Sequence, residues 1–351
     1  MNHSTRTVLG SGPHAGQSST VAVLVNLRAR KASHRIASLV RTLLPNARLG
    51  ITRTLEEARQ WVEHEMLPNP PALLLSGGGD GTAVCLLNEM MGLGMPLPAL
   101  GLLPLGTGNG WARVMGAPRA ATALRAVASI DQSPLELCSF SLVEADGRVC
   151  PFAGAGWDAD ILHDHALQRA KLPASLRTRT PVGLAYFFSI TTRSLPRYLF
   201  RPPPRVTVTN LGEDALTADS DGKLVRVPCG GAGQVIYRGP FGVLGAGTTP
   251  AIGMGFRAFP ILDTHPGRMA VRVYNAPAGE AARNVAKLFR GERTMPGSHE
   301  WLLTHCRMDF DRDVPLEVGG DIEGTRRHVE FRLSAQRVNL VDWRPSRSVS
   351  W

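Results

Sequence analysis

The sequence predicts an α/β protein in two parts: an N-terminal doubly wound, Rossmann-like domain and a C-terminal antiparallel β-sandwich domain. Three observations lead there. Leu73, Leu74 and Leu75 run into Ser76-Gly77-Gly78-Gly79-Asp80-Gly81-Thr82, and Leu102 and Leu103 run into Pro104-Leu105-Gly106-Thr107-Gly108-Asn109. Each run is too short for a helix and precedes a helical stretch, residues 83–91 and 111–115, so strand, glycine loop and helix start are written twice. Farther along, apolar residues alternate instead: Val329, Phe331 and Leu333 fall on one face, His328, Glu330 and Arg332 on the other.

In chain order, residues 1–19 read as a mobile polar tail. Gly10-Ser11-Gly12-Pro13-His14-Ala15 has dinucleotide-fingerprint spacing but precedes the first strand instead of following it, so it carries no site. Residues 21–25 form that strand, ending at Asn26; residues 34–44 are an amphipathic helix and 47–51 a short strand. Thr52 to Arg59 open a helix running to about residue 66, with Glu56 and Glu57 in its first turn. After the two loops, residues 118–130 form an alanine-rich helix. Residues 206–209, 224–227, 269–274, 315–318, 328–333 and 338–341 then read as short strands. The expected domains are 20–133 and 134–343, with 344–351 a second tail.

The chemistry follows from the loops. Residues without side chains let backbone N–H groups approach phosphate oxygens, and the following helix N-terminus adds a favourable dipole. A carboxylate is out of place in such a cradle, so Asp80 is expected to hold a magnesium ion or take a proton from an attacking hydroxyl. As a loop carboxylate among glycines, it is expected to contribute little to folding. The loops therefore predict a phosphoryl-transfer site. Asn26 stands at the carboxyl end of its strand, where doubly wound sheets bind ligands, and Arg28, Arg30 and Lys31 beside it suit phosphates.

Composition sets the bounds. A 351-residue chain with 43% hydrophobic and 19% charged residues can bury a good core and is not disordered. Cys85, Cys138, Cys150, Cys229 and Cys306 are scattered without CxxC spacing, as in a reduced cytoplasmic protein without a disulfide frame or zinc site. His163 and His165 have the wrong spacing for one helix face, which argues against a metal site there. No apolar run reaches membrane-spanning length, and the N-terminus lacks a signal-peptide core. The net charge of +10 suits nucleotides and anionic bilayers, whereas no nucleic-acid motif accompanies it. Membrane contact is therefore expected to be peripheral. The stretch best suited is 169–205, where Arg177, Arg179, Arg193, Arg197 and Arg201 interleave with Leu184, Tyr186, Phe187, Phe188, Leu199 and Phe200. The same apolar residues would also suit the buried face of a helix.

Gly78-Gly79-Asp80-Gly81-Thr82, with Pro104-Leu105-Gly106-Thr107-Gly108-Asn109-Gly110-Trp111-Ala112-Arg113, resembles the diacylglycerol kinase catalytic superfamily, which includes bacterial lipid kinases and sphingosine kinases. Gly154-Ala155-Gly156-Trp157-Asp158-Ala159, Gly183-Leu184-Ala185-Tyr186 and Gly255-Phe256-Arg257-Ala258-Phe259-Pro260 are similar to further segments of that family. The resemblance implies an ATP-dependent kinase acting on a diacylglycerol- or sphingoid-like lipid hydroxyl in an interdomain cleft at the membrane surface, with Mg2+ as cofactor; a homodimer is compatible with it. It implies nucleotide contacts from Asn26, Gly78, Gly79, Gly81, Thr82, Gly106, Thr107, Gly108 and Asn109, acceptor contact from Asp158, and catalytic acids at Asp80 and Asp321. Four departures stand out. Asn26 lacks the following proline and glycine; Cys85 stands where the family has Glu, with Glu89 one turn on; Gly110 replaces an Asp; and Gly319 and Asp321 replace the Asp and Glu of a Val-Asp-Gly-Glu turn. NAD kinases share the first glycine motif, leaving an NAD kinase-like enzyme as one alternative and a non-catalytic nucleotide- or membrane-binding member as another.

Overall fold

A computed structural model describes residues 6–9, 21–157, 159–160, 162–164, 201–292 and 295–344. The chain divides into two compact units. Unit 1 draws on Met1–Leu142, Ala251–Phe256 and Ser334–Trp351, and unit 2 on Val143–Pro250 and Arg257–Leu333.

Unit 1 is a doubly wound sheet. Strands β2 (Val21–Asn26), β3 (Arg48–Thr52), β4 (Leu73–Gly78) and β5 (Ala99–Pro104) are parallel in the spatial order β3-β2-β4-β5. Their apolar runs are continuous because both faces are covered. Val23, Val25, Leu73, Leu75 and Leu103 pack with Val40 of α1 (His34–Leu43) and Ala123, Leu124 and Val127 of α5 (Ala120–Ala128). Helices α2 (Leu55–Trp61), which continues as a π turn through Val62–Met66, and α3 (Asp80–Gly92) pack against one another. Thr54 caps α2 by accepting the Glu57 N–H at 3.1 Å. The short α4 (Gly110–Val114) follows β5.

Two expectations about the chain ends need correction. Arg6–Leu9, placed in the mobile tail, is strand β1, antiparallel to the start of β6 (Leu135–Ala145) from Arg6↔Cys138 to Leu9↔Leu135. The first unit also runs to Leu142, within β6, and not to residue 133; β6 continues unbroken from its β1 pairing to its hairpin with β7 (Arg148–Cys150). The chain returns late: Leu340, at the end of β17 (Asp321–Val341), pairs in parallel with Leu100 of β5.

Unit 2 is antiparallel. β8 (Phe152–Gly156) pairs with β13 (Val243–Gly247), which pairs with β14 (Met269–Tyr274), which pairs with β15 (Ser298–Leu303). β9 (Arg205–Asn210) pairs with β12 (Val235–Pro240). Strand β16 (His305–Val318) joins both groups, pairing with β9 over its first part and β8 over its last. Its register with β17 shifts between Asp309 and Val314, which lets one strand serve two directions. The remaining strands are β10 (Leu216–Ala218) and β11 (Leu224–Arg226), and α6 (Ala278–Arg290) follows β14.

Candidate functional site

The strand order of unit 1 reverses between β2 and β4, and doubly wound sheets bind ligands in the crevice outside the carboxyl ends at such a point. Asn26 ends β2 on one side and the first glycine loop leaves β4 on the other. The Asn26 Nδ2 donates to Thr82 Oγ1 at 3.1 Å, and its Oδ1 accepts the Arg28 N–H at 3.0 Å. One side chain thus ties both rims of the crevice together.

The second loop packs directly on the first. The N–H groups of Leu105 and Gly106 donate to the Gly78 carbonyl at 3.0 and 2.8 Å. A Cβ built on Gly106 would stand 2.5 Å from the Cα of Gly79, so Gly106 lacks a side chain because the two backbones touch. Gly79 is different. A Cβ there would lie 3.5 Å from Gly106, an ordinary contact, so the protein itself does not demand glycine at that position. Asn109 closes the loop in the left-handed region (φ 48°, ψ 42°), which its Nδ2 stabilises by donating to the Gly106 carbonyl at 2.7 Å.

Asp80 links the two loops. Its Oδ2 accepts the Gly110 N–H at 2.7 Å and its Oδ1 the Trp111 N–H at 3.1 Å, so this carboxylate at the start of α3 caps α4. Burial pushes its pKa up, and the two N–H bonds pull it partly back. The expectation that Asp80 contributes little to folding is therefore corrected: both its oxygens hold an element in place. Further contacts fix α4. Trp111 is fully buried with its ring 5.5 Å from that of Phe140, and the Trp343 N–H donates to the Met115 carbonyl at 2.9 Å. Segment Ala251–Phe256 lies against α4 so closely that a Cβ on Gly110 would stand 2.4 Å from the Ile252 carbonyl carbon. That contact explains the missing Asp at this position. Sequence reasoning missed it, because Ile252 and Gly253 are remote in the chain.

Thr107 is exposed at the loop tip, Gly108 is half-buried beside it, and Gly81 lies in the first turn of α3. Glu89 lies farther along α3, where it pairs with Arg59 of α2 at 3.5 Å, and so does not stand in for the Glu replaced by Cys85. Asp321 belongs to unit 2, opposite Val318 across the Gly319–Gly320 turn. Desolvation and the nearby Glu323 carboxylate push its pKa up, while Arg148 opposes them. Arg148 itself pairs with Glu323, a partnership absent from the sequence reading. Asp158 lies outside the described residues, as do 169–200 of the basic, apolar stretch.

The cradle fits a polyphosphate: two abutting glycine backbones, and the N-terminus of a thirteen-residue helix, where Thr82 and Ala83 donate to the Gly79 carbonyl and the Asp80 and Gly81 N–H groups precede the first helical bond. The same residues do not assemble a magnesium site. The Asp80 oxygens are engaged by backbone N–H groups, Gly110 has no room for a carboxylate, and no cluster of three metal-ligating side chains exists among the described residues.

Residues 20–140 match the diacylglycerol kinase catalytic domain family. Two crystal structures from Bacillus anthracis str. Sterne share the fold. One is of a diacylglycerol kinase, at TM-score 0.62, and the other of a protein described as a candidate diacylglycerol kinase, at TM-score 0.63. Each is 16% identical, covering 92% of this chain and 97% of its own. An NAD kinase from Archaeoglobus fulgidus in complex with ATP aligns at 10% identity and TM-score 0.44, over 92% of this chain and 93% of its own, too distant to bear on function. No curated protein matches the sequence.

Proposed function

We propose that this protein is an ATP-dependent kinase that transfers the γ-phosphoryl group to the hydroxyl of a lipid. The observation that carries the reading is the pair of glycine loops abutting at the switch point of a parallel sheet, with Asp80 joining them. In this reading Gly79, Gly81, Thr82, Thr107 and Gly108 border the phosphates, while Gly78, Gly106, Asn109 and Asn26 hold the loops in place. Asp321, whose pKa is raised by desolvation and the Glu323 carboxylate, takes the acceptor's proton. The acceptor is assigned to unit 2, which has a cavity of about 350 Å³. Trp157, Phe241, Pro202 and Pro204 give that cavity apolar walls, and His163 and Arg201 give it polar ones. No helix among the described residues is long and apolar enough to cross a membrane, and peripheral binding through the basic surface would give access to lipid.

The test is incubation with γ-labelled ATP and a panel of diacylglycerol, sphingoid base, monoacylglycerol and phosphatidylglycerol. Label in an organic-extractable product supports the reading. Label in soluble NAD phosphate would overturn it in favour of NAD phosphorylation, and nucleotide binding with no transfer would make the chain a binding protein.

A further inference from the structure

The crevice has an uneven supply of charge. Triphosphate groups need compensation, and kinases commonly supply it with a divalent cation held by one or two carboxylates. In unit 1 the carboxylates nearest the loops are committed elsewhere. Asp80 accepts two backbone N–H groups, Glu89 pairs with Arg59, and the Ile252 backbone excludes any acid from position 110.

Cations are present in their place. The loop after β2 carries Arg28, Arg30 and Lys31, all exposed and with no ion pair among the described residues. Its backbone is fixed from both sides of the crevice. The Leu27 N–H donates to Thr52 at 2.8 Å and the Ala29 N–H to the Asn26 carbonyl at 3.0 Å. The Lys31 N–H donates to the carbonyl of Leu105, in the second glycine loop, at 2.8 Å. Three cationic side chains are thus carried by a short loop hydrogen-bonded to the cradle, where fixed charge meets phosphate without the entropy of ordering a free segment.

We propose that this chain compensates the nucleotide's phosphate charge with Arg28, Arg30 and Lys31 in place of a protein-held divalent cation, so that nucleotide binding does not require the metal. This rests on the nucleotide reading of the site and concerns binding alone, not transfer.

The test is calorimetric titration of the full chain with ATP, in magnesium and in EDTA, alongside adenosine. The variant Arg28→Gln/Arg30→Gln/Lys31→Gln is measured in parallel, its fold checked by thermal melting. The expected result is an ATP affinity in EDTA within about threefold of that in magnesium. The triple variant should lose about tenfold or more in both buffers, from three charge-assisted contacts, with adenosine affinity unchanged. ATP binding abolished by EDTA would overturn the inference while leaving the nucleotide site standing. A triple variant that melts normally and binds ATP as the parent does would also overturn it. Absence of ATP binding in both buffers would overturn the inference and the nucleotide reading together.

Discussion

Asp80 holds α4 in place, and under the proposed function its loss is expected to reach transfer as well. Asp80→Asn keeps one acceptor but turns an amide N–H2 toward a backbone N–H, leaving a buried donor unsatisfied. A loss of about 1–3 kcal/mol is expected, read as a lower Tm, together with at least a ~10²-fold fall in transfer activity. An unchanged Tm would mean that the carboxylate does not hold α4. Glycine substitutions divide in the same way. Gly79→Ala fits the protein, so its Tm should hold while calorimetric ATP affinity falls; Gly106→Ala forces the loops apart and should lower both. For Asp321 the pH dependence has a definite sign. Its folded pKa is raised, so the base form, and with it activity, appears as pH rises through that value; any stability from the protonated form is lost over the same range. Glu323→Gln removes the like charge and should move the acidic limb of the kcat/KM profile to lower pH. A limb that stays in place would separate Glu323 from the chemistry. The thiols are simpler. Burial pushes Cys150 and Cys306 up to about 12, so a thiol reagent at pH 8 should modify exposed Cys229 promptly and those two only on unfolding.

At the level of elements, α4 is a five-residue helix held by partners remote in sequence: Asp80 at its start, Ile252 against its side and Trp343 at its end. Gly110→Asp would restore the acid that the family resemblance leads one to expect, and the structure predicts that it fails. The new Cβ meets the Ile252 backbone, which cannot rotate away as a side chain could. A Tm lowered by several degrees and faster proteolysis near residues 251–256 are expected; a variant as stable as the parent would show that this segment does not press on α4. The strands and helices around the glycine loops were legible because periodicity and glycine placement are local signals. Strand β2, both loops and the helices after them lie within a few residues of the positions expected. What was illegible depended on distant partners. No local pattern says that Glu323 pairs with Arg148, that Glu89 turns to Arg59, or that Gly110 is small because Ile252 is there.

For the whole molecule, the matched domain and the compact unit differ. The family match ends at residue 140, whereas unit 1 also takes Ala251–Phe256 and the return from Ser334 onward. Residues 20–140 made alone would leave β5 without Leu340 beside it and α4 without Ile252 and Trp343. That fragment should show no cooperative thermal transition and should aggregate through the uncovered strand edge; a sharp, reversible melt would refute this. The late return of the chain also bears on the order of synthesis. Most of unit 1 is made first, yet its sheet waits for the return from Ser334 onward, so all of unit 2 is translated before unit 1 can close. Over that interval the growing chain exposes an apolar, unpaired strand, and contacts of such long sequence separation form slowly. A stop after Leu333 would therefore cost unit 1 as well, although every residue of both glycine loops had been made.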